Sequence, residues 1–392
     1  MDQNTEDIAV ATKSKHERIV ALDIIRGFFL IVILIDHIEL YPSGFDLLTG
    51  RGRLFVSAAE GFFFMSGLLV GMVYRRRLAL GIKFIFKRMW GRALELYLAS
   101  VFFTLLFSAA AVFLNHPSIK DGLYSVINWP HIVKETVLMR YGFGWADFLD
   151  RFAILMFLAP FGFYLLARKK WWLLLILSFG AWCLRGAFLI NNFTISWQLL
   201  FMGAMIIGYY WYEIKNYWHS IPIKLKRNIK LGINSLTAVT FAVSYASVFL
   251  LSFLNERLIS LPAWLQSFTL HWNTFNTWIW LYTQKWTLGP VRLILFMLWF
   301  TSLFMFIQRY YYHINSKTRG IVEMLGRNSL LVYIAHAFVV FVFKLLIPDH
   351  TNLLANFSIT TAALFTLIAV VAGYKELEPR INKSMGRLLV LR

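Results

Sequence analysis

Arg26 and His37 lie eleven positions apart in one apolar stretch near the start of the chain. In a helix that spacing sets them about 16 Å apart along the axis and within about 20° of one face. A base and a cation at two depths on one face could line a single tunnel. Histidine suits proton transfer because its ordinary titration falls near neutral pH. Glu60 opens the next apolar stretch, Ser57-Ala-Ala-Glu60-Gly-Phe-Phe-Phe-Met-Ser66-Gly67, about six residues in from its outer end. The chain turns back between the two stretches, so the depth of Glu60 matches that of His37. A carboxylate beside an imidazole fixes its tautomer and raises its basicity, which makes Glu60 the expected orienting acid for His37. Ser66 and Gly67 lie deeper, where small residues let helices or a thin ligand come close. Asp23 and Asp36 complete the polar set, and Asp23 is also placed to pair with Arg26 at i,i+3. Each residue also has a plainer use: a histidine near a helix end as an interfacial group, Ser-Gly as helix packing.

The elements that must hold these groups are membrane helices. Of 392 residues, 59% are hydrophobic and only 15% charged, against about 25% charged in soluble chains, and mean hydropathy is +0.61. Ionisable groups at membrane depth are costly and mark a pathway or a site. The net charge of +19 comes from 39 Lys+Arg against 20 Asp+Glu. The bases sit in short blocks between apolar runs, which points to anionic lipid headgroups and a bilayer partner and away from nucleic acid. The single Cys183 lies in an apolar run, so neither a disulfide nor a cysteine metal site is expected.

At about 20 apolar residues per crossing, roughly ten spans fall near 19–40, 54–74, 93–114, 152–167, 171–190, 197–212, 232–254, 291–308, 328–347 and 359–374. The fourth and sixth are short for a full crossing and are candidates for tilt, breakage or re-entrance. With the N-terminus inside, 27 of the 39 bases fall on the inner side, nine outside and three (Arg26, Arg185, Lys344) within spans. The expectation is an all-α integral membrane protein of about ten transmembrane helices, N-in and C-in. Residues 1–18 form a cytoplasmic tail with Lys13, Lys15 and Arg18 and no cleavable signal pattern. Residues 19–374 form one polytopic domain and 375–392 a second cytoplasmic tail. Two outer segments, near 115–151 and 255–290, are rich in aromatic residues. There Trp264, Trp272, Trp278, Trp280 and Trp286 serve either as an interfacial belt or as a platform for stacking sugar rings.

Arg26-x10-His37 followed by Phe-Phe-Phe-x-Ser66-Gly67 resembles the multi-span membrane acyltransferases of acyltransferase family three. More narrowly, Leu22-Asp23…Arg26-Gly27…Ile35-Asp36-His37, Ala58-Ala59-Glu60-Gly-Phe-Phe-Phe-Met-Ser66-Gly67 and Arg92-Ala-Leu-Glu-Leu-Tyr97 are similar to the OpgC group. That group is associated with succinylation of osmoregulated periplasmic glucans. Trp197-Gln198-Leu-Leu-Phe201-Met-Gly203 and Leu325-Gly326-Arg327-Asn328-Ser329-Leu330 follow in the expected order. The resemblance also implies a proline at position 150, where this chain has Asp150.

The resemblance implies acyl transfer from cytosolic acyl-CoA, such as succinyl-CoA or acetyl-CoA, to an extracytoplasmic glycan, in the cytoplasmic (inner) membrane. It makes His37 the catalytic residue and Arg26 a donor-tunnel residue. His336 in Tyr333-Ile-Ala-His336 matches the late histidine of the broader family and otherwise reads as a polar packing residue of the ninth span. His37 would act as general base or through an acyl-histidine. For the CoA phosphates and adenine, Arg75, Arg76, Arg77, Lys83, Lys87, Arg88 and Arg92 offer cations at the cytoplasmic surface, where they also set topology. Ser66, Trp197, Gln198 and Ser329 complete the candidate set. No metal is expected, and the rival reading is a transporter or flippase with Asp23, Arg26, His37 and Glu60 as a proton relay.

Overall fold

Apolar runs of this length leave the backbone no partner in lipid but itself, and helix formation satisfies every interior amide. The computed structural model describes residues 19–114, 128–144, 147–184, 192–347 and 352–390, and every regular element among them is helical. The elements that matter here are α1 (Val20–Ile38), α2 (Ala58–Arg76), α3 (Ile82–Leu114), α4 (Asp147–Ala167) and α5 (Trp171–Cys183). They continue as α6 (Asn192–Tyr209), α7 (Trp211–Ser220), α8 (Ile223–Val248), α9 (Ala263–Thr283) and α10 (Pro290–Lys317). The last are α11 (Ile321–Arg327), α12 (Ser329–Leu346) and α13 (Leu353–Val390). The expected tail 1–18, Lys120, Arg185 and parts of the outer segment 115–151 lie outside the described residues.

Among the described residues six helices are long and apolar enough to cross a bilayer: α3, α4, α8 with its continuation to Glu256, α10, α12 and α13. The pair α6–α7, bent by 65°, makes a seventh if counted as one span. This is the run that the sequence marks as short, and its break falls at Tyr210. The chain is a multi-pass, all-helical membrane protein. Neither α1 nor α2 is among the six, because α1 carries Asp23, Arg26 and Asp36, and α2 carries Glu60, Arg75 and Arg76. Both are largely buried by other helices, the one setting in which such charges are tolerated at depth. The lipid-compatible surface lies elsewhere: along α3, Leu94, Leu98, Phe102 and Phe113 all point out, Phe113 at 88% exposure.

Three boundaries differ from the sequence expectation for one reason. The basic block 75–92 is helical on both sides of a short turn, with Arg75 and Arg76 closing α2 and Lys83, Lys87, Arg88 and Arg92 in the first turns of α3. At 1.5 Å per residue the 33-residue α3 is about 50 Å long, more than a hydrocarbon core of about 30 Å needs. Its charged turns overhang. Likewise α13 runs on to Val390, through most of the expected tail, and α9 forms inside the outer segment 255–290. An apolar window ends where charge begins, but the hydrogen-bond ladder need not.

α1 sits at the centre, against α2, α10, α11, α12 and α13. Its contact with α11 is set by two glycines. A Cβ on Gly27 would stand 1.9 Å from the Val322 carbonyl oxygen, and one on Gly326 would stand 1.8 Å from that of Asp23. Close backbone approach of this kind is how helices gain packing energy where lipid removes the hydrophobic drive. α2 and α6 cross in the same manner at Gly67 and Gly208, which gives Gly67 a packing role.

Candidate active site

α1 ends at Glu39, a left-handed residue whose N–H returns to the Ile35 carbonyl, so His37 lies in the last helical turn. Its partner is His336 of α12, with His37 Nδ1 3.0 Å from His336 Nε2 and the rings 5.2 Å apart. His336 is buried, its ring against Tyr333, and its Nδ1 bonds to the Tyr333 carbonyl oxygen. A carbonyl only accepts, so the His336 proton is on Nδ1. In the neutral ring Nε2 is then the acceptor, and His37 must donate from Nδ1. The lone pair of His37 is therefore on Nε2. One backbone carbonyl thus fixes the tautomer of two imidazoles in series.

Toward the other end of the α1–α12 seam, Arg26 Nη1 donates to the Gly326 carbonyl at 3.1 Å and to Ser329 Oγ at 3.4 Å. The Gly27–Gly326 crossing brings the guanidinium there. Going from Arg26 to His37 the partners advance from Ser329 to His336, so α1 and α12 run parallel and both residues share the face expected for them. Asp23 is buried at the same crossing. Asp36 turns away from His37 and accepts from the Tyr41 hydroxyl at 3.3 Å, with Gly52 against its carboxylate. Burial pushes the Tyr41 phenol far up, so it remains a protonated donor to Asp36.

The expected Glu60–His37 pair is not what forms. Glu60 is 0% exposed and ion-paired with Arg292 of α10, itself 4% exposed. Its other oxygen, Oε2, accepts from the Ser57 amide at 2.9 Å, the bond a Ser-x-x-Glu helix start calls for, and also from Ser57 Oγ at 2.6 Å. The expectation of equal depth does not join it to His37, because its carboxylate is spent on Arg292 and the start of α2. Arg292 also donates to the Thr283 carbonyl at 3.0 Å, which ties the end of α9 to this pair.

Several other candidates are engaged in structure. Ser66 Oγ donates to the Phe62 carbonyl of its own helix at 2.8 Å, not toward a tunnel. Gln198 and Ser178 exchange two bonds of 2.7 Å, clamping α6 to α5. Trp197, fully buried against Phe63 and Phe193, donates from Nε1 to the Lys285 carbonyl at 3.0 Å. In the basic block, Arg75 binds Glu213 and the Tyr209 carbonyl, Arg76 donates to the Tyr212 hydroxyl at 2.6 Å, and Arg92 pairs with Glu95 at 2.8 Å. Arg88 is exposed and lies over Phe84, with Lys83 and Lys87 exposed beside it. With Arg77, exposed over Tyr74, these are the cations of the block best placed to meet a soluble anion. On α9, Trp264, Trp278 and Trp280 are exposed, whereas Trp272 donates to Ser247 Oγ at 3.2 Å.

Sequence reasoning passed over Arg292 as one outer charge among nine and did not single out Asp147 or Arg151, which pair at 2.8 Å at the head of α4. The available signal was position: Arg292 follows Gly289-Pro290 as the third residue of a long apolar helix. Among the described residues no group of three or more His, Cys, Asp or Glu side chains is placed to hold a metal ion.

What the arrangement offers is a helix seam with an oriented imidazole at one end and an anchored guanidinium toward the other. No protein of curated function and no solved structure matches the chain. A family model does, that of the OpgC protein, over residues 18–380. With the Arg26–His37 face, the Glu60 helix start and the Ser329–His336 helix all inside that match, this chain belongs to the OpgC family of glucan-modifying acyltransferases.

Proposed function

We propose that this protein is an O-acyltransferase of the cytoplasmic membrane. It moves an acyl group, succinyl or acetyl, from cytosolic acyl-CoA to hydroxyls of an extracytoplasmic glycan. The observation that carries the reading is the His37–His336 contact, which leaves His37 Nε2 as a free base on the same seam as Arg26.

The chemistry follows from that tautomer. His37 Nε2 takes the proton of an acceptor hydroxyl as its oxygen attacks the thioester carbonyl. The tetrahedral centre collapses, the C–S bond breaks, and the CoA sulfur leaves with the proton returned by the imidazolium. The products are an ester and free CoA thiol. While His37 is positive its Nδ1–H bond to His336 becomes charge-assisted, which favours the transition state over the ground state. Arg26 holds the inner end of the donor's path, and Lys83, Lys87 and Arg88 receive the CoA phosphates outside the hydrocarbon. The topology proposed is ten spans, N-in and C-in, in which the first and ninth spans run the same way, as α1 and α12 do.

The test is binding and turnover of labelled acyl-CoA by purified protein in nanodiscs, wild type beside His37→Ala. Saturable binding, with transfer lost in the variant, is expected. Full turnover by folded His37→Ala removes this residue from the chemistry. Absence of acyl-CoA binding by folded wild type turns the reading toward a transporter or flippase.

A further inference from the structure

α3 and α4 pack antiparallel, as the ring pairs along their seam show. Trp90 lies nearly parallel to Phe157 with centroids 5.9 Å apart, and one turn earlier Phe86 meets Phe161 edge-on at 5.5 Å. Trp90 Nε1 also donates to the Phe157 carbonyl at 3.2 Å, which pins the indole to α4. The start of α3 and the end of α4 therefore reach the same end of the bundle. That is the basic end, where Arg75 and Arg76 close α2. There the seam parts, and a groove of about 600 Å³ opens, lined by Ile82, Lys83, Phe86, Lys87, Trp90 and Tyr164.

Helical spacing builds one wall of this groove. Lys83, Phe86, Lys87 and Trp90 fall at i, i+3, i+4 and i+7, so one face of α3 alternates cation and aromatic ring. Arg88 lies over Phe84, on another face. α4 supplies Tyr164 opposite, and Arg168 lies over that ring at 5.2 Å from its centroid. None of the six lining residues is acidic, and the walls apart from the lysines are apolar. Among the described residues neither lysine ammonium makes a hydrogen bond or ion pair.

The groove lies on the outside of the bundle. Trp90, Tyr164, Phe161 and Phe157 are 40%, 41%, 49% and 53% exposed, and rings exposed on a membrane helix face acyl chains and the interface. Lys87 and Lys83 stand about 4.5 and 10 Å beyond Trp90 along the α3 axis, in the turns that overhang the hydrocarbon. A strip of aromatic surface thus ends in cations at the level where a bilayer keeps its phosphates.

We infer that this groove binds one anionic diacyl phospholipid, its phosphate on Lys83 and Lys87 and an acyl chain along Trp90, Phe161 and Phe157. A soluble anion would meet the lysines and leave the apolar wall bare. A zwitterionic headgroup would bring its own cation to a rim that has no acid to receive it. The inference goes beyond the acyl-transfer reading and does not depend on it. An ammonium has three protons to give, so a lipid phosphate on the bilayer side leaves both lysines able to meet a CoA phosphate from the water.

The experiment is native mass spectrometry of the delipidated full chain, titrated with phosphatidylglycerol or with phosphatidylcholine of the same acyl chains. Wild type is compared with Lys83→Gln/Lys87→Gln and with Lys224→Gln/Lys230→Gln, which removes the same charge from exposed positions of α8. Wild type should bind the first phosphatidylglycerol about tenfold more tightly than phosphatidylcholine. The groove variant should bind it about 30-fold more weakly, at about fivefold per lysine near an anionic headgroup, and the α8 variant within about threefold of wild type. Both groove lysines are exposed, so the fold does not rest on them, and each single change repeats the comparison at about fivefold. Equal binding of the two lipids by wild type overturns the inference. So does an equal loss in the two double variants, which makes the attraction one of diffuse charge. Displacement of the lipid by glycerol phosphate at matched concentration also overturns it, because the groove then reads a soluble anion.

Discussion

Replacing His336 separates a positioning imidazole from a packing one. In His336→Phe the ring volume beside Tyr333 is kept, and the acceptor 3.0 Å from His37 Nδ1 is lost. The loss matters most when His37 is positive, because the bond is then charge-assisted. Hydrogen bonds to charged groups contribute about 1.5–3 kcal/mol, and at about 1.4 kcal/mol per decade kcat should drop roughly 10- to 150-fold. His336→Gln, whose side-chain carbonyl can accept the same proton, should recover most of that loss. The readout is kcat for labelled acyl transfer at saturating donor, with folding checked by monodispersity of the detergent-solubilised protein. Because His336 acts through His37, the double variant His37→Ala/His336→Phe should be no slower than His37→Ala alone. Full kcat in folded His336→Phe, or losses that multiply in the double variant, would refute the tautomer relay.

Breaking the buried Glu60–Arg292 pair on either side should destabilise the protein by about 3–5 kcal/mol, since each single change strands a desolvated charge. Glu60→Gln and Arg292→Met should therefore both melt early in a thermal unfolding assay, and near-wild-type melting of either would show that the pair does not secure α2 to α10. Gln198→Leu breaks two 2.7 Å bonds to Ser178 and should cost about 1–3 kcal/mol of stability while leaving activity per folded molecule intact. A selective loss of turnover would instead place Gln198 against substrate.

Periodicity predicts which residues share a helix face and, with the chain's turns, which share a depth. It put Arg26 and His37 on one face of α1, and both meet α12, at Ser329 and His336. It cannot choose the neighbour across a gap of hundreds of residues. Glu60 is expected beside His37, yet its partner Arg292 is 232 positions away and comes from a helix whose azimuth nothing local dictates. The same limit hid the His37–His336 contact, a separation of 299, although both histidines are visible as candidates. Motif similarity names His336 and Ser329, which contact His37 and Arg26, and Gln198, which bonds to Ser178 across the α5–α6 crossing.

The pairing pattern also bears on what kind of machine the seam is. A proton relay needs neighbouring groups that can exchange a proton along a continuous line, and it needs the line to open alternately to the two sides. Here the four residues that would form the relay are parcelled out. Glu60 is closed on Arg292, Arg26 holds the Gly326 carbonyl, Asp23 is buried at the Gly27–Gly326 crossing, and His37 donates to His336. The backbone beneath Arg26 is equally committed, because the carbonyls of Asp23 and Val322 stand where any side chain on Gly326 or Gly27 would have to go. Sliding α1 against α11 to alternate access would drive those backbones into each other or pull Arg26 off its acceptor. A seam locked at one end, with one imidazole nitrogen left free at the other, suits a base that must stay in register with a bound thioester.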